Sequence, residues 1–158
     1  MSLSGVLGAT ISVSTTAIAN PLTVAAITDL NTGFTYTEIA QVENAGEFGQ
    51  VFETVSFQNV KTGQKQKFKG GFDYGQMQLA LGQDLSDAGQ LALRGYATTQ
   101  DQNTYAFKVT LSGGNASFDT IYFGAKVMSY KTVLTTVTNV VKATVSLEIN
   151  TQIFIGAS

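Results

Sequence analysis

Four acidic side chains come closest to a catalytic spacing in this chain: Asp84 with Asp87, and Glu43 with Glu47. Paired carboxylates do general acid and base work when a pocket drives their pKa values apart. Both pairs have a plainer use. Asp84 stands where a helix N-cap is needed, with Asp87 three residues on at the positive helix end. Glu43 and Glu47 belong to a polar loop around Glu43-Asn44-Ala45-Gly46. As calcium ligands, Asp84 and Asp87 lack the oxygen-rich loop and closing Glu of a calcium motif. With no His and no Cys, the sequence supplies no Ser/His/Asp or Cys/His nucleophilic site, no Cys/His zinc cluster and no disulfide. The glycines between Gly63 and Gly75 form neither GxxxxGK[ST] nor a GxGxxG that opens a helix, so they are assigned to turns and bulges rather than to a phosphate cradle. The chain therefore reads as no enzyme, with no cofactor and no metal.

What must position these residues is a chain of 158 residues, one domain's worth, with no second-domain linker and no internal repeat. Only 13% of residues are charged, against about 25% in an average protein, which suggests that much of the surface meets protein. Nine basic against eleven acidic residues give a net charge of -2, the opposite of what phosphate neutralisation needs. The first basic side chain is Lys61, so the N-terminus lacks the positive region of a secretory signal, although Ala17-Ile18-Ala19 has the small residues of a cleavage site. No run approaches 18 apolar residues, and the chain reads as soluble, without a membrane partner.

Thr, Val and Ile make up 43 of the 158 residues, which favours strands. Residues 1–33 alternate small, hydroxyl and apolar types and read as an extended arm that needs something to pack against. Alternation predicts strands over 34–42, 52–60 (Val55 and Phe57 on one face), 65–69 and 74–82, where Met77, Leu79 and Leu81 oppose Gln76, Gln78 and Ala80. A helix follows over 84–96, with Leu85, Ala88, Leu91 and Ala92 on one stripe and Gly95 as its stop. Three long strands close the chain around Tyr105, Phe107, Val109 and Leu111; Ile121, Phe123, Ala125 and Val127; and Val141, Ala143, Val145, Leu147 and Ile149. Gly113-Gly114-Asn115 signals a hairpin between the first two, and 132–139 form a Thr-rich connection. The predicted fold is mainly β, a sandwich or barrel of about seven strands with one flanking α-helix.

Two segments resist this frame. Lys65, Lys67 and Lys69 fall on one face of a short strand beside Phe68, Phe72 and Tyr74. This is the one basic and aromatic patch that nucleic acid could use, but a Lys-protected edge strand, or half of a charged contact between subunits, explains it more simply. The loop 46–52 sets Phe48, Val51 and Phe52 among glycines, either as an interaction surface or folded back on its own sheet.

Four stretches, MSLSGVLGATISVSTT, EIAQVENAGEFGQVFETVSF, QKFKGGFDYGQMQLALGQDLSDAGQLALR and FGAKVMSYKT with VVKATVSLEI, resemble the tail tube (major tail) proteins of long-tailed bacteriophages and span most of the chain. The resemblance implies a β-sandwich protomer with one flanking helix that joins five copies in a hexameric ring, the rings stacking into a hollow tube. It implies that the first 20 residues of the arm (with Leu3, Val6 and Leu7) and the long inter-strand loop or hairpin (43–74, with Phe48, Val51, Phe52, Lys65, Lys67, Lys69, Phe68 and Phe72) contact neighbouring subunits and rings. It implies a virion protein made in the host bacterial cytoplasm, with tape measure, tail tip and tail terminator proteins as partners, and DNA passing through the lumen without specific binding. A polyanion slides best past a wall without fixed cations, so Gln76 and Gln78 are expected to line the channel and the three lysines are not. The inner tube of a contractile tail or related injection machine, and a monomeric carbohydrate- or surface-binding β-sandwich, are the alternatives.

Overall fold

The computed structural model describes residues 5–112, 119–134, 136–137 and 140–156. Among these the chain forms ten strands: β1 (Gly5–Ile18), β2 (Tyr36–Glu38), β3 (Val42–Asn44), β4 (Val51–Gln58), β5 (Lys65–Asp73), β6 (Gln76–Gly82), β7 (Thr104–Ser112), β8 (Thr120–Val133), β9 (Lys142–Ile149) and β10 (Phe154–Gly156). Two α-helices, α1 (Thr28–Asn31) and α2 (Ala88–Thr98), complete it with a 3-10 turn at Pro21–Thr23. Eight strands form one antiparallel sheet in the order β2-β1-β7-β8-β9-β6-β3, with β10 added on β8. The fold is thus mainly β with one principal helix, as the sequence pattern predicts.

The sheet curls until its ends meet. Strands β2 and β3 lie at opposite ends of the order, yet only residues 39–41 separate them, a span of about 14 Å at most. Ile39 donates its N–H to the Ile11 carbonyl on β1 at 2.8 Å, and Gln41 accepts from the Gly82 N–H on β6 at 2.8 Å. One short segment therefore bonds to β1 near one end of the sheet and to β6 near the other, which pairs backbone that would otherwise lie open there. Gln41 holds a left-handed φ of 62° at this join, a conformation uncommon for a residue with a Cβ.

Inside the curl lies the main core. Ile11, Val13, Met77, Leu79, Leu81, Phe107, Phe123, Val145 and Leu147 are buried there, and Leu93 of α2 closes it. Phe107 and Phe123 stack with centroids 5.6 Å apart. A smaller cluster covers the opposite face of β7 and β8, where Ile18, Leu30, Ala106 and Tyr122 pack with Ile27, Phe34, Tyr36 and Phe154. This second layer is why Thr120 to Ala125 are buried on both faces for almost their whole length, where simple alternation predicts one wet face.

The structure differs from the sequence reading at definite places. Within the segment read as an arm, β1 is a full member of the sheet: it pairs with β2 and β7, and Ile11 and Val13 are core residues. Its hydroxyl residues misled because one of them is structural: Ser14, at a register shift, accepts from Ala106 N–H at 3.0 Å and donates to the Thr16 carbonyl at 2.7 Å. The predicted strand at 34–42 is cut in two by the closing segment, and with β1 and β10 this turns about seven strands into ten. The helix begins at Ala88, with Asp87 rather than Asp84 as N-cap. Its buried face is Gly89, Gln90 and Leu93, while Leu85 and Leu91 are exposed. Gly89 sets that rotation: a Cβ there would run into the Glu38 carbonyl oxygen, so only glycine lets α2 lie this close to β2. The predicted turn at 113–115 lies outside the described residues, as does part of 132–139.

Candidate assembly surfaces

The residues first considered for chemistry are held in structural bonds. The Asp87 carboxylate caps α2 by accepting from Gln90 N–H at 2.9 Å and takes a second bond from Ala40 N–H at 3.1 Å. Asp84 forms the turn before it, accepting from the Ser86 hydroxyl at 2.7 Å and N–H at 3.0 Å; these bonds hold its carboxyl below the usual aspartate range. Glu43 pairs with Lys142 at 3.0 Å on the surface. Glu47 is exposed.

The features that lack an internal purpose are on β4 and β5. These two strands pair with each other and with no other strand, so they stand off the sheet as a separate hairpin. Directly opposed residues share a face. One face carries Val55 opposite Phe68 and Phe57 opposite Gln66; the other carries Thr54 opposite Lys69, Ser56 opposite Lys67 and Gln58 opposite Lys65. A register shift at Glu53, across from Gly70 and Gly71, then brings Phe52 and Phe72 together, with ring centroids 5.6 Å apart and Lys69 Nζ 4.8 Å above the Phe52 ring. The strand pattern read as half-buried is exposed on both faces: Val55, Phe57 and Phe68 are 49%, 59% and 54% exposed. Among the described residues nothing covers them, because β4 and β5 pair with no strand of the main sheet. An isolated two-stranded hairpin is marginal in water, and a contiguous apolar patch of this kind marks a contact surface.

The other candidate residues fall into four groups. Val51, Phe52, Phe68, Phe72 and the three lysines are all exposed on this hairpin. Phe48 is not with them: it folds back against its own core, with its ring 5.3 Å from Phe123. At the N-terminus Val6 and Leu7 are 86% and 94% exposed, and Leu3 lies outside the described residues. Gln76 and Gln78 are exposed on the outer face of β6, opposite Glu148 and Ser146 of β9. Glu148 in turn stands opposite Lys126 of β8, so the charges on that part of the face are matched.

Sequence reasoning missed two features. One is Gln90, wholly buried, which donates to the Ala40 and Gly82 carbonyls at 2.9 Å each and accepts from Asp84 N–H at 2.9 Å and the Tyr130 hydroxyl at 3.4 Å. The other is an apolar groove of about 360 Å³ between β1, β3 and β7, lined by Val6, Ile11, Val42, Ala45, Phe48 and Leu111 among others. The sequence gives no signal for the first, since Gln90 lies off the stripe of Leu85, Ala88, Leu91 and Ala92 and is buried only because the helix is rotated onto Gly89 and Leu93; the second depends on long-range pairing and leaves none either.

No family model matches the sequence, and no curated protein matches it. Solved structures do match, in fold. A chain of the anti-feeding prophage (AFP) baseplate, a 6-fold symmetrised cryo-EM structure, is 9% identical over 94% of this chain and 92% of its own, with a TM-score of 0.68. A chain of the sheath-tube complex of an extracellular contractile injection system, PVC, in its extended state is 10% identical over 99% and 93%, with a TM-score of 0.64. A chain of the SPP1 tail tube is 13% identical over 98% and 80%, with a TM-score of 0.64. The chain has the tail tube fold across nearly its whole length.

Proposed function

We propose that this chain is the repeating subunit of a tail tube: six copies close a ring, rings stack, and the hollow stack conducts DNA into a host cell. The single observation that carries this reading is the hairpin of β4 and β5, which stands off the main sheet and exposes Val55, Phe57 and Phe68. A monomer gains nothing from such a surface, whereas a polymer uses one per subunit. The tube fold of the body and the 6-fold symmetry of the AFP baseplate support the same reading. On it, Gln76 and Gln78 face the lumen and Lys65, Lys67 and Lys69 stay outside the bore. Six copies of a -2 chain carry -12, and β6 itself offers DNA the hydrogen bonds of Gln76 and Gln78 and no cation, while of the lysines sharing that face Lys126 stands opposite Glu148 and Lys142 pairs with Glu43. The partners are further copies of the chain, and tape measure, tail tip and tail terminator proteins at the ends; the place of action is the virion tail.

A second reading, an inner tube gripped by a sheath, is favoured by the likeness to a sheath-tube complex. Microscopy of the particle that carries the chain separates the two, since a sheath adds a second protein layer around the tube. Negative-stain microscopy of the concentrated protein tests the shared claim: rings or hollow tubes are expected.

A further inference from the structure

We infer that Lys131, with the hydroxyls of Thr144, Ser129 and Ser146 beside it, forms a phosphate-contact site, one per subunit, for the backbone of DNA in transit; this rests on the tube reading and on the outer face of β6 belonging to its lumen. The second layer covers β7 and the first residues of β8, where β10 pairs. Among the described residues it leaves the outer face of β6, β9 and the rest of β8 bare. Two adjacent cross-strand rows cross the middle of that face: Ser129, Ser146 and Gln78, then Lys131, Thr144 and Ala80. Opposed side chains within a row start about 5 Å apart and the rows lie about 7 Å apart. The long lysine and the hydroxyls next to it can therefore meet on one phosphate group.

Three lysines share this face, and Lys131 is the one left unanswered. Lys126 stands opposite Glu148 and donates to Gln102 Oε1 at 3.1 Å. Lys142 stands opposite Gly82, which has no side chain in the way, and pairs with Glu43 at 3.0 Å. Lys131 is exposed and lies opposite Thr144, while its neighbours on the face, Ser129, Val133, Ser146 and Lys142, include no carboxylate. Among the described residues the one ion pair is that of Lys142 with Glu43. Three lysines against Glu43 and Glu148 leave +1 on this face in each copy, so the acidic excess of a chain of -2 lies on its other surfaces. A phosphate that meets Lys131 displaces counterions and no protein carboxylate. One such contact per subunit, set among hydroxyl and amide groups, gives a passing duplex salt-sensitive and sequence-blind contacts instead of a continuous cationic wall.

The test uses tubes assembled in the presence of a short fluorescent DNA duplex and pelleted over a salt series. Wild-type tubes are expected to retain the duplex at low salt and lose it as salt rises. Lys131→Gln, an exposed substitution, is expected to lower the apparent affinity at least about threefold and to flatten the salt dependence. Lys131→Arg is expected to keep both, and Lys67→Gln, on the hairpin, to match wild type. Equal retention by wild-type and Lys131→Gln tubes overturns the site. Polyglutamate that competes as well as unlabelled duplex at equal charge overturns it too, since the surface then takes any polyanion, an acidic protein included. The chain has no cysteine, so Lys131→Cys tubes labelled with maleimide-gold report where the site lies, and gold is expected in the bore. Gold in the bore with retention unaffected by Lys131→Gln overturns the site alone. Gold on the outside of the wall overturns the lumen assignment on which the site rests, and a wild-type chain that forms no tubes overturns the tube reading with it.

Discussion

Gln90 donates its buried side-chain amide to the Ala40 carbonyl at 2.9 Å, and so ties helix α2 to the segment that carries the chain from one end of the sheet to the other. The same side chain reaches Gly82 on β6 and receives Asp84 and Tyr130. Ala40 is held from both sides, since its N–H goes to the Asp87 carboxylate. The base of the exposed hairpin leaves the body just beyond this join.

Gln90→Leu keeps the volume and removes the bonds. Each orphaned buried group costs about 1 to 3 kcal/mol, and Ala40, Gly82 and Asp84 would each lose a partner. We expect a loss of about 3 kcal/mol or more in urea unfolding. A change under about 0.5 kcal/mol would show that water or a shifted backbone replaces the clamp.

Gly89 and Gly95 lie in the same helix but should respond in opposite directions. Alanine favours a helix by about 1 kcal/mol over glycine. At Gly95 a Cβ meets open space, while at Gly89 it meets the Glu38 carbonyl and the Ile39 Cα. Gly95→Ala is expected to raise the melting temperature and Gly89→Ala to lower it, measured side by side by calorimetry.

The Tyr36 hydroxyl donates to the Leu30 carbonyl under the second layer, and burial pushes its pKa well above the ordinary value of 10.0, with Tyr122 adding to the shift. A raised folded-state pKa favours the protonated native form. Its contribution is whole below pH 10 and is lost as pH rises toward the folded-state value. Wild-type stability should therefore fall more steeply above pH 10 than that of Tyr36→Phe, which starts lower for want of the hydrogen bond. Parallel slopes in alkaline urea titrations would refute this.

The hairpin is expected to be dispensable for folding and essential for assembly. Its removal must leave residues 44–50 in place, because Ala45 and Phe48 pack on the main core; a deletion of 44–52, natural from the sequence alone, would damage the body. Replacing 51–73 with a short glycine linker exploits the adjacent feet at Gly49 and Gly75. The product should unfold cooperatively, by circular dichroism, and form no tubes. Tubes from this variant would remove the hairpin from the account.

Much of this architecture is legible in the sequence, and what is not has a physical cause. Met77, Leu79 and Leu81, or Ala143 through Ile149, alternate with a period of two and are buried as that period requires. The same pattern at Val55 and Phe57 misleads, because alternation records a face that needs covering and not which chain covers it. Thr10 through Ser14 look unsupported in sequence, yet β1 is fixed by β7, nearly a hundred residues away. Helix α2 is visible from its stripe, but its start is set by Asp87 meeting Ala40, 47 residues earlier. The exposed Lys, Phe and Gln residues are located by pattern alone, whereas the groove exists only where three distant strands converge.

Electron microscopy of the wild-type protein across a wide concentration range tests the central claim most directly. The account expects monomers at low concentration and hollow tubes with a regular axial repeat and 6-fold averaged cross-sections at high concentration, with the Gln76 and Gln78 strand facing the bore. A protein that stays monomeric at every concentration, or tubes whose bore is lined by Lys65, Lys67 and Lys69, would contradict it.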